Sequence, residues 1–242
     1  MRSERVSHTV TPTDPFGRAI RDHHLGNREA PLFDRDGGAR REHAIEDWYF
    51  GEHDDAAWRD RWLNGPLLDL GAGAGRDALY YQDRFETVAI DVSDHLVETM
   101  RDRGVNDARQ ADMFSLPDHF DRDRFRSVHS IGTQVGLAGS MHGVRAFLED
   151  LAYVTTPDAT AVLDNYIPRD DAANEVFGYR DDPAPGLAHR VYHCEYEGDV
   201  GRTLLFRVFS VDRLREATIG TPWDVAATRY GDTQWRAILE KR

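Results

Sequence analysis

The residues best suited to hold a ligand stand in one short run, Leu67-Leu68-Asp69-Leu70-Gly71-Ala72-Gly73-Ala74-Gly75-Arg76. An apolar stretch enters directly into alternating glycines. Without a Cβ such a bend can turn tightly and let a ligand approach the backbone. A helix starting just after it offers unpaired N–H groups and the positive end of its dipole. About twenty residues beyond Gly71, Thr87-Val88-Ala89-Ile90 ends on Asp91. A carboxylate there can accept both hydroxyls of a ribose. A third acidic position, Asp112, stands in Ala111-Asp112-Met113-Phe114. Bend and carboxylate together fit any nucleoside cofactor. The dinucleotide spacing G-x-G-x-x-G, however, needs glycine at position 76, which is Arg76.

These groups can meet only if a βαβ framework carries them. The pattern predicts strands over 67–70, 87–90, 108–111, 125–131 and 159–166, the last stopped by Pro168. Helices are expected through 78–81, from the cap Ser93 with Leu96, Val97 and Met100 inward, and over 141–155 with Val144, Phe147, Leu148 and Leu151 in helical register. Short strands alternating with helices imply an α/β, doubly wound parallel sheet. The C-terminal part reads differently. Residues 191–197 and 203–210 form one expected hairpin, 211–218 a helix, and 225–230 with 235–239 another hairpin. Residues 170–188, rich in Asp, Pro and Gly, read as a loop or lid, and residues 1–14 as a mobile polar tail.

Asp69, the three glycines, Asp91 and Asp112 resemble, in order and spacing, the cofactor motifs of class I (Rossmann-like) S-adenosylmethionine-dependent methyltransferases. The resemblance covers residues 60–168 well and 190–242 loosely. It implies a seven-stranded, mostly parallel sheet with an N-terminal cap and an antiparallel C-terminal hairpin. It also implies S-adenosylmethionine as cofactor and S-adenosylhomocysteine as product. The implied cofactor-binding residues are Asp69, Gly71, Ala72, Gly73, Gly75, Asp91, Val92, Asp112 and Met113, with Ile131 and Gly132 in the loop after the fourth strand. Asp69 is expected near the cofactor's ammonium, Asp91 on its ribose and Asp112-Met113 on its adenine. Tyr49 or Trp48 lies where relatives often place a lid residue over the cofactor. The expected organisation is a single domain, 1–242, with a tail and cap (1–58), a cofactor-binding core (59–168), a variable substrate or lid segment (169–200) and a closing hairpin (201–242).

The cofactor of such an enzyme brings the reactivity, so the protein mainly positions a nucleophile, excludes water and sometimes removes a proton. The loop Ser130-Ile131-Gly132-Thr133-Gln134-Val135-Gly136 lacks the Asn/Asp-Pro-Pro-aromatic tetrapeptide of base methylation. No Pro-Cys pair exists, and the single lysine, Lys241, rules out a Lys-Asp-Lys-Glu set. A small-molecule substrate is therefore expected; RNA or protein methylation, a non-catalytic cofactor-binding module and a dinucleotide oxidoreductase are the alternatives. Candidate bases are His142, Tyr166 and His193. No metal site is expected, since the histidines show no H-E-x-x-H spacing.

Composition narrows the setting. The net charge is −13, and every basic residue except Lys241 is arginine. Such an acidic, lysine-poor chain is expected in a salt-rich cytoplasm, where salt screens its self-repulsion. The charge also disfavours nucleic-acid partners. Cys194 is the lone cysteine, and no apolar run is long enough to span a membrane or serve as a secretory signal. A cytoplasmic monomer or homodimer is expected.

Overall fold

The computed structural model describes residues 13–52, 56–169, 172 and 175–242; most of the expected N-terminal tail and part of the 170–188 loop lie outside them. Asp14 accepts the N–H of Gly17 and Pro15 occupies the first helical position, so α1 (Pro15–Leu25) starts there. A hairpin follows, β1 (Phe33–Asp36) with β2 (Ala39–Glu42). Residues Glu46–Phe50 make one π-helical turn, and α2 (Ala56–Arg59) leads to the main sheet.

That sheet is built from the expected alternation: β3 (Leu67–Leu70), α3 (Arg76–Tyr81), β4 (Thr87–Asp91), α4 (Asp94–Asp102) and β5 (Ala108–Gln110), then β6 (Phe125–Ser130), α5 (Met141–Val154) and β7 (Thr155–Tyr166). Ser93 caps α4, its Oγ accepting the Leu96 N–H. The chain ends in β8 (Tyr179–Asp181), β9 (Leu187–Tyr196), β10 (Asp199–Val200), β11 (Leu204–Phe209), α6 (Val211–Thr218), β12 (Trp223–Tyr230) and β13 (Gln234–Lys241). The seven-stranded sheet has the order β12-β13-β7-β6-β3-β4-β5. Strands β3 to β7 are parallel; β13 runs antiparallel to β7 and to β12.

Successive side chains leave the sheet on opposite faces. Leu68, Leu70, Val88, Ile90 and Val128 thus join the core under α5 and α6, with Trp223 and Trp235. Leu67, Val162 and Ile238 pack with Tyr81 on the other face, where Asp69 and His129 also lie. Both faces are covered, which is why the central strands read as near-continuous apolar runs.

A second, six-stranded sheet is not anticipated by the local patterns. The expected hairpin forms as β9 with β11, but β9 also pairs with β1, β8 and β10. The N-terminal hairpin and the strands between β7 and α6 therefore share one sheet. A boundary at residue 200 divides β9 from β11, and the expected loop at 170–188 contains β8. Alternate residues of β9 (Ala188, Arg190, Tyr192, Cys194, Tyr196) are buried. This inner face meets Ala19 and Ile20 of α1, Ala74 of the glycine bend and Leu96 of α4. The second sheet and α1 consequently form a roof beside the carboxyl ends of β3 and β4. Arg21 of α1 anchors it by ion pairs to Glu98 and Asp102 of α4, at 3.3 and 2.7 Å.

Candidate active site

The glycine bend and the carboxylate of β4 meet directly. Gly73 N–H donates to Asp91 Oδ2 at 3.2 Å, Ser93 N–H donates to Oδ1 at 3.0 Å, and Ala72 N–H reaches the Ile90 carbonyl at 3.0 Å. Gly71, Gly73 and Gly75 all have positive φ (63°, 58° and 79°), so the bend needs residues without a Cβ penalty. A Cβ on Gly75 would stand 2.7 Å from Val105. Burial pushes the Asp91 carboxyl up to about 6, against the pull of the two N–H donors. Ser93 Oγ also contacts Asp14, which ties the cap of α1 to the same corner.

The neighbouring strand tips complete the groove. Ala111 N–H bonds the Asp91 carbonyl at 3.1 Å, joining the ends of β4 and β5. Asp112 is exposed and accepts the Phe114 N–H at 2.9 Å, while Met113 is buried. Val92 is a half-exposed apolar residue beside them. A hollow of about 330 Å³ opens next to this element, between Phe114, Leu137, Ala138, Gly143 and Phe147.

The loop after β6 is fixed by Asp164 of β7. Its Oδ2 accepts the Gly132 N–H (3.1 Å) and its Oδ1 the Thr133 N–H (2.6 Å); burial holds this carboxyl up at about 6. Ile131 and Gly132 are thereby presented at the carboxyl end of β6. The side chain of Gln134 covers Gly71, lying 2.9 Å from where a Cβ would stand.

Asp69 is placed more deeply than its neighbours. Its Oδ1 accepts from His129 Nδ1 at 2.8 Å, and His129 Nε2 is 2.9 Å from Arg59 Nη1. Arginine only donates, so Nε2 must accept and Nδ1 carries the proton. Arg59 Nη1 also contacts Asp77 at 3.1 Å. Burial raises the Asp69 carboxyl, opposed by His129. Asp69 Oδ2 is buried and has no hydrogen-bond partner among the described residues. Only that oxygen is left for a ligand's ammonium.

Tyr49 stands over the bend, its ring 3.1 Å from the position of a Cβ on Gly73. Trp48, its alternative as a lid, is 49% exposed and packs edge-on against His43. The three candidate bases are dispersed. His142 is exposed on the first turn of α5. Tyr166 is half-buried at the end of β7, with the Arg190 guanidinium 5.6 Å from its ring centre. His193 alternates with Tyr192 and Cys194, so it points to the face of β9 opposite the roof's interior.

Sequence reasoning missed Asp164, Gln134, Arg103 and the pair Asp34–His43. Asp164 carried a readable signal, a carboxylate closing the apolar run Ala161-Val162-Leu163, whereas His129 stands among Ser127 and Ser130 on β6. The others act across elements distant in sequence. Among the described residues no cluster of His, Cys, Asp and Glu could hold a metal ion, and no helix is long and apolar enough to cross a membrane.

Residues 68–163 match the family model described as a methyltransferase domain. No curated protein matches the chain. A SAM-dependent methyltransferase from Bacteroides fragilis, solved in complex with S-adenosyl-L-homocysteine, is similar with a TM-score of 0.78 and 22% identity, covering 94% of each chain. A S-adenosylmethionine-dependent methyltransferase from Clostridium acetobutylicum has a TM-score of 0.61 at 10% identity, covering 81% of this chain and 95% of that one. The CcbJ methyltransferase from Streptomyces caelestis has a TM-score of 0.59 at 14% identity, covering 81% and 96%. Such identities speak for the fold, and the family model speaks for the segment that carries the glycine bend. The chain has the Rossmann-like methyltransferase fold, and its residues 68–163, which carry the glycine bend, match the methyltransferase-domain model.

Proposed function

We propose that this protein transfers a methyl group from S-adenosylmethionine to a small-molecule acceptor, leaving S-adenosylhomocysteine. The observation that carries the reading is the roof: α1 and the inner face of the second sheet, with Phe16, Tyr49, Tyr192 and Phe206, pack beside the glycine bend. A packed aromatic roof beside the bend leaves space for a small acceptor rather than for a polymer. The net charge of −13 points the same way, because nucleic acid calls for a basic surface.

The residues present fit the cofactor. Asp91 is half-buried at the tip of β4 and can take the ribose hydroxyls. Gly71 and Gly73, lying under the side chains of Gln134 and Tyr49, bring bare backbone to its amino-acid end, with the free Asp69 Oδ2 beneath, and Val92 with Asp112-Met113 offers an apolar wall and polar edge for the adenine. When bound, the cofactor supplies the methyl group and its leaving sulfide; the chain orients the acceptor and excludes water. The acidic, lysine-poor composition supports adaptation to a salt-rich cytoplasm.

Calorimetry with S-adenosylhomocysteine in molar potassium chloride tests the reading. The folded protein is expected to bind, and Asp91→Ala to lose binding by two orders of magnitude or more. A folded protein with no heat of binding would remove the proposal.

A further inference from the structure

Beneath the glycine bend, β3 and β6 carry a polar pair inside a closed interior. Asp69 and His129 stand opposite each other in the parallel register and are 3% and 1% exposed. Asp69 Oδ1 accepts the His129 Nδ1–H at 2.8 Å, and His129 Nε2 accepts from Arg59 Nη1 at 2.9 Å. Arg59 is itself fully buried, and the Tyr81 ring flanks the imidazole at a centroid distance of 5.7 Å. Three elements (β3, β6 and α2) thus spend buried polar groups on aligning one carboxylate.

The charges around that carboxylate do not balance. Arg59 pairs with Asp77 at 3.1 Å, and Asp77 also meets Arg76 at 3.4 Å. The imidazole is neutral, because its Nε2 faces a guanidinium that only donates. Asp69 therefore receives one neutral N–H on Oδ1, while its Oδ2 is buried without a donor among the described residues. Burial raises the Asp69 carboxyl and Asp77 acts in the same direction; His129 and Arg59 oppose them. A buried charge needs a partner, so this oxygen calls for a cation. Asp69 precedes Gly71 by two residues, at the tip where the bend begins.

We propose that His129 and Arg59 are positioning residues for cofactor selection: Arg59 fixes the imidazole as the Nδ1–H tautomer, and His129 turns the Asp69 carboxylate so that Oδ2 meets the α-ammonium of S-adenosylmethionine. The inference rests on the methyltransferase reading. It assigns a selectivity, since a nucleoside thioether without the amino group leaves Oδ2 buried and unpaired. It also removes His129 from the proton transfers of the reaction. One of its nitrogens is committed to a carboxylate and the other to a guanidinium.

Calorimetry on the full chain compares S-adenosylhomocysteine with the analogue that carries hydrogen in place of the α-amino group. The parent is expected to bind S-adenosylhomocysteine about thirtyfold or more tighter, the scale of a hydrogen bond to a charged group. His129→Leu should bring the two affinities within threefold of each other and leave that for the analogue within threefold of the parent's. His129→Asn, whose amide N–H stands near the place of Nδ1–H, should keep a preference of at least tenfold. A general loss of structure would weaken both ligands alike. If His129→Leu does not fold, His129→Gln, whose amide reaches the place of Nε2 instead, carries the same expectation. Nitrogen NMR of histidine-labelled protein should show His129 protonated on Nδ1 and bare on Nε2, its signals assigned by their loss in His129→Asn. Arg59→Leu should mix the two tautomers. A folded His129→Leu or His129→Gln that keeps more than threefold preference overturns the proposal. So does a parent that binds both ligands alike or carries the proton on Nε2. An unchanged tautomer in Arg59→Leu overturns the part given to Arg59. Failure of both ligands to bind the folded parent overturns the methyltransferase reading itself, and this inference with it.

Discussion

At Asp91 the surroundings pull in two directions. Burial pushes the carboxyl up to about 6, while the N–H groups of Ser93 and Gly73 favour its ionised form. Ribose hydroxyls would donate to it and so bind the carboxylate, not the acid. The sign follows: affinity is full where Asp91 is ionised and falls as pH drops through about 6. S-adenosylhomocysteine is expected to bind with constant affinity above pH 7 and about tenfold more weakly at pH 5. Titrations at both pH values check this, and a flat profile would count against Asp91 as the ribose acceptor. Asp164 shows the other use of a carboxylate. Both its oxygens are taken by the backbone of Gly132 and Thr133, so its work is to hold a loop. Asp91 could be picked out from its place at the end of an apolar strand. What Asp69 does could not, because its partner His129 stands on β6 and Arg59 on α2, and only the folded sheet stacks them.

At the scale of elements, the glycine bend is specified locally and its cover is not. The bend follows from positive φ at three glycines and from the helix that starts at Arg76. The turn over Glu46–Phe50 has no such local cause: none of its residues is buried. It is held by contacts to distant elements, chiefly Arg103, whose Nη1 bridges the Tyr49 and Ala74 carbonyls and whose guanidinium also stacks on the Phe50 ring at 4.7 Å. Arg103→Ala is expected to release the turn while leaving the main sheet intact. Hydrogen exchange should show residues 46–50 opening more easily by about 1.5–3 kcal/mol, the scale of a hydrogen bond to a charged group. Unchanged protection there would show that Arg103 is not the strap. The second sheet illustrates the same division. Alternating burial along β9 is readable as a strand and β11 as its hairpin partner, but its other neighbour β1 comes from the far N-terminal part of the chain.

For the whole molecule, charge is the dominant sequence-level quantity. A net charge of −13 on 242 residues opposes compaction at low ionic strength. The Debye length shrinks from about 10 Å at 0.1 M salt to about 3 Å at 1 M. The melting temperature is therefore expected to rise by several degrees between 0.1 and 2 M potassium chloride. A melting temperature that is flat or falls over that range would refute adaptation to salt. The surface ion pairs, such as Arg21–Asp102 and Arg180–Asp36, weaken with salt and work against this trend. Screening of the net repulsion outweighs that loss, because it acts over the whole surface.

The amino-acid sequence alone determined the parallel sheet, the glycine bend and the carboxylates at the strand tips. Each of these depends on residues close together in the chain: a two-residue alternation, a run of glycines, an acidic residue closing an apolar stretch. Tertiary structure decided the roof, the buried line from Tyr49 to Asp34 and the clamp by Asp164. The roof and the Asp164 clamp join distant parts of the chain, whereas the line from Tyr49 through His43 to Asp34 lies within one short segment and forms only once the β1–β2 hairpin and the turn after it fold against each other. The pairing of β1 with β9 depends on how each hairpin buries its own apolar face, and no local pattern encodes a partner more than a hundred residues away.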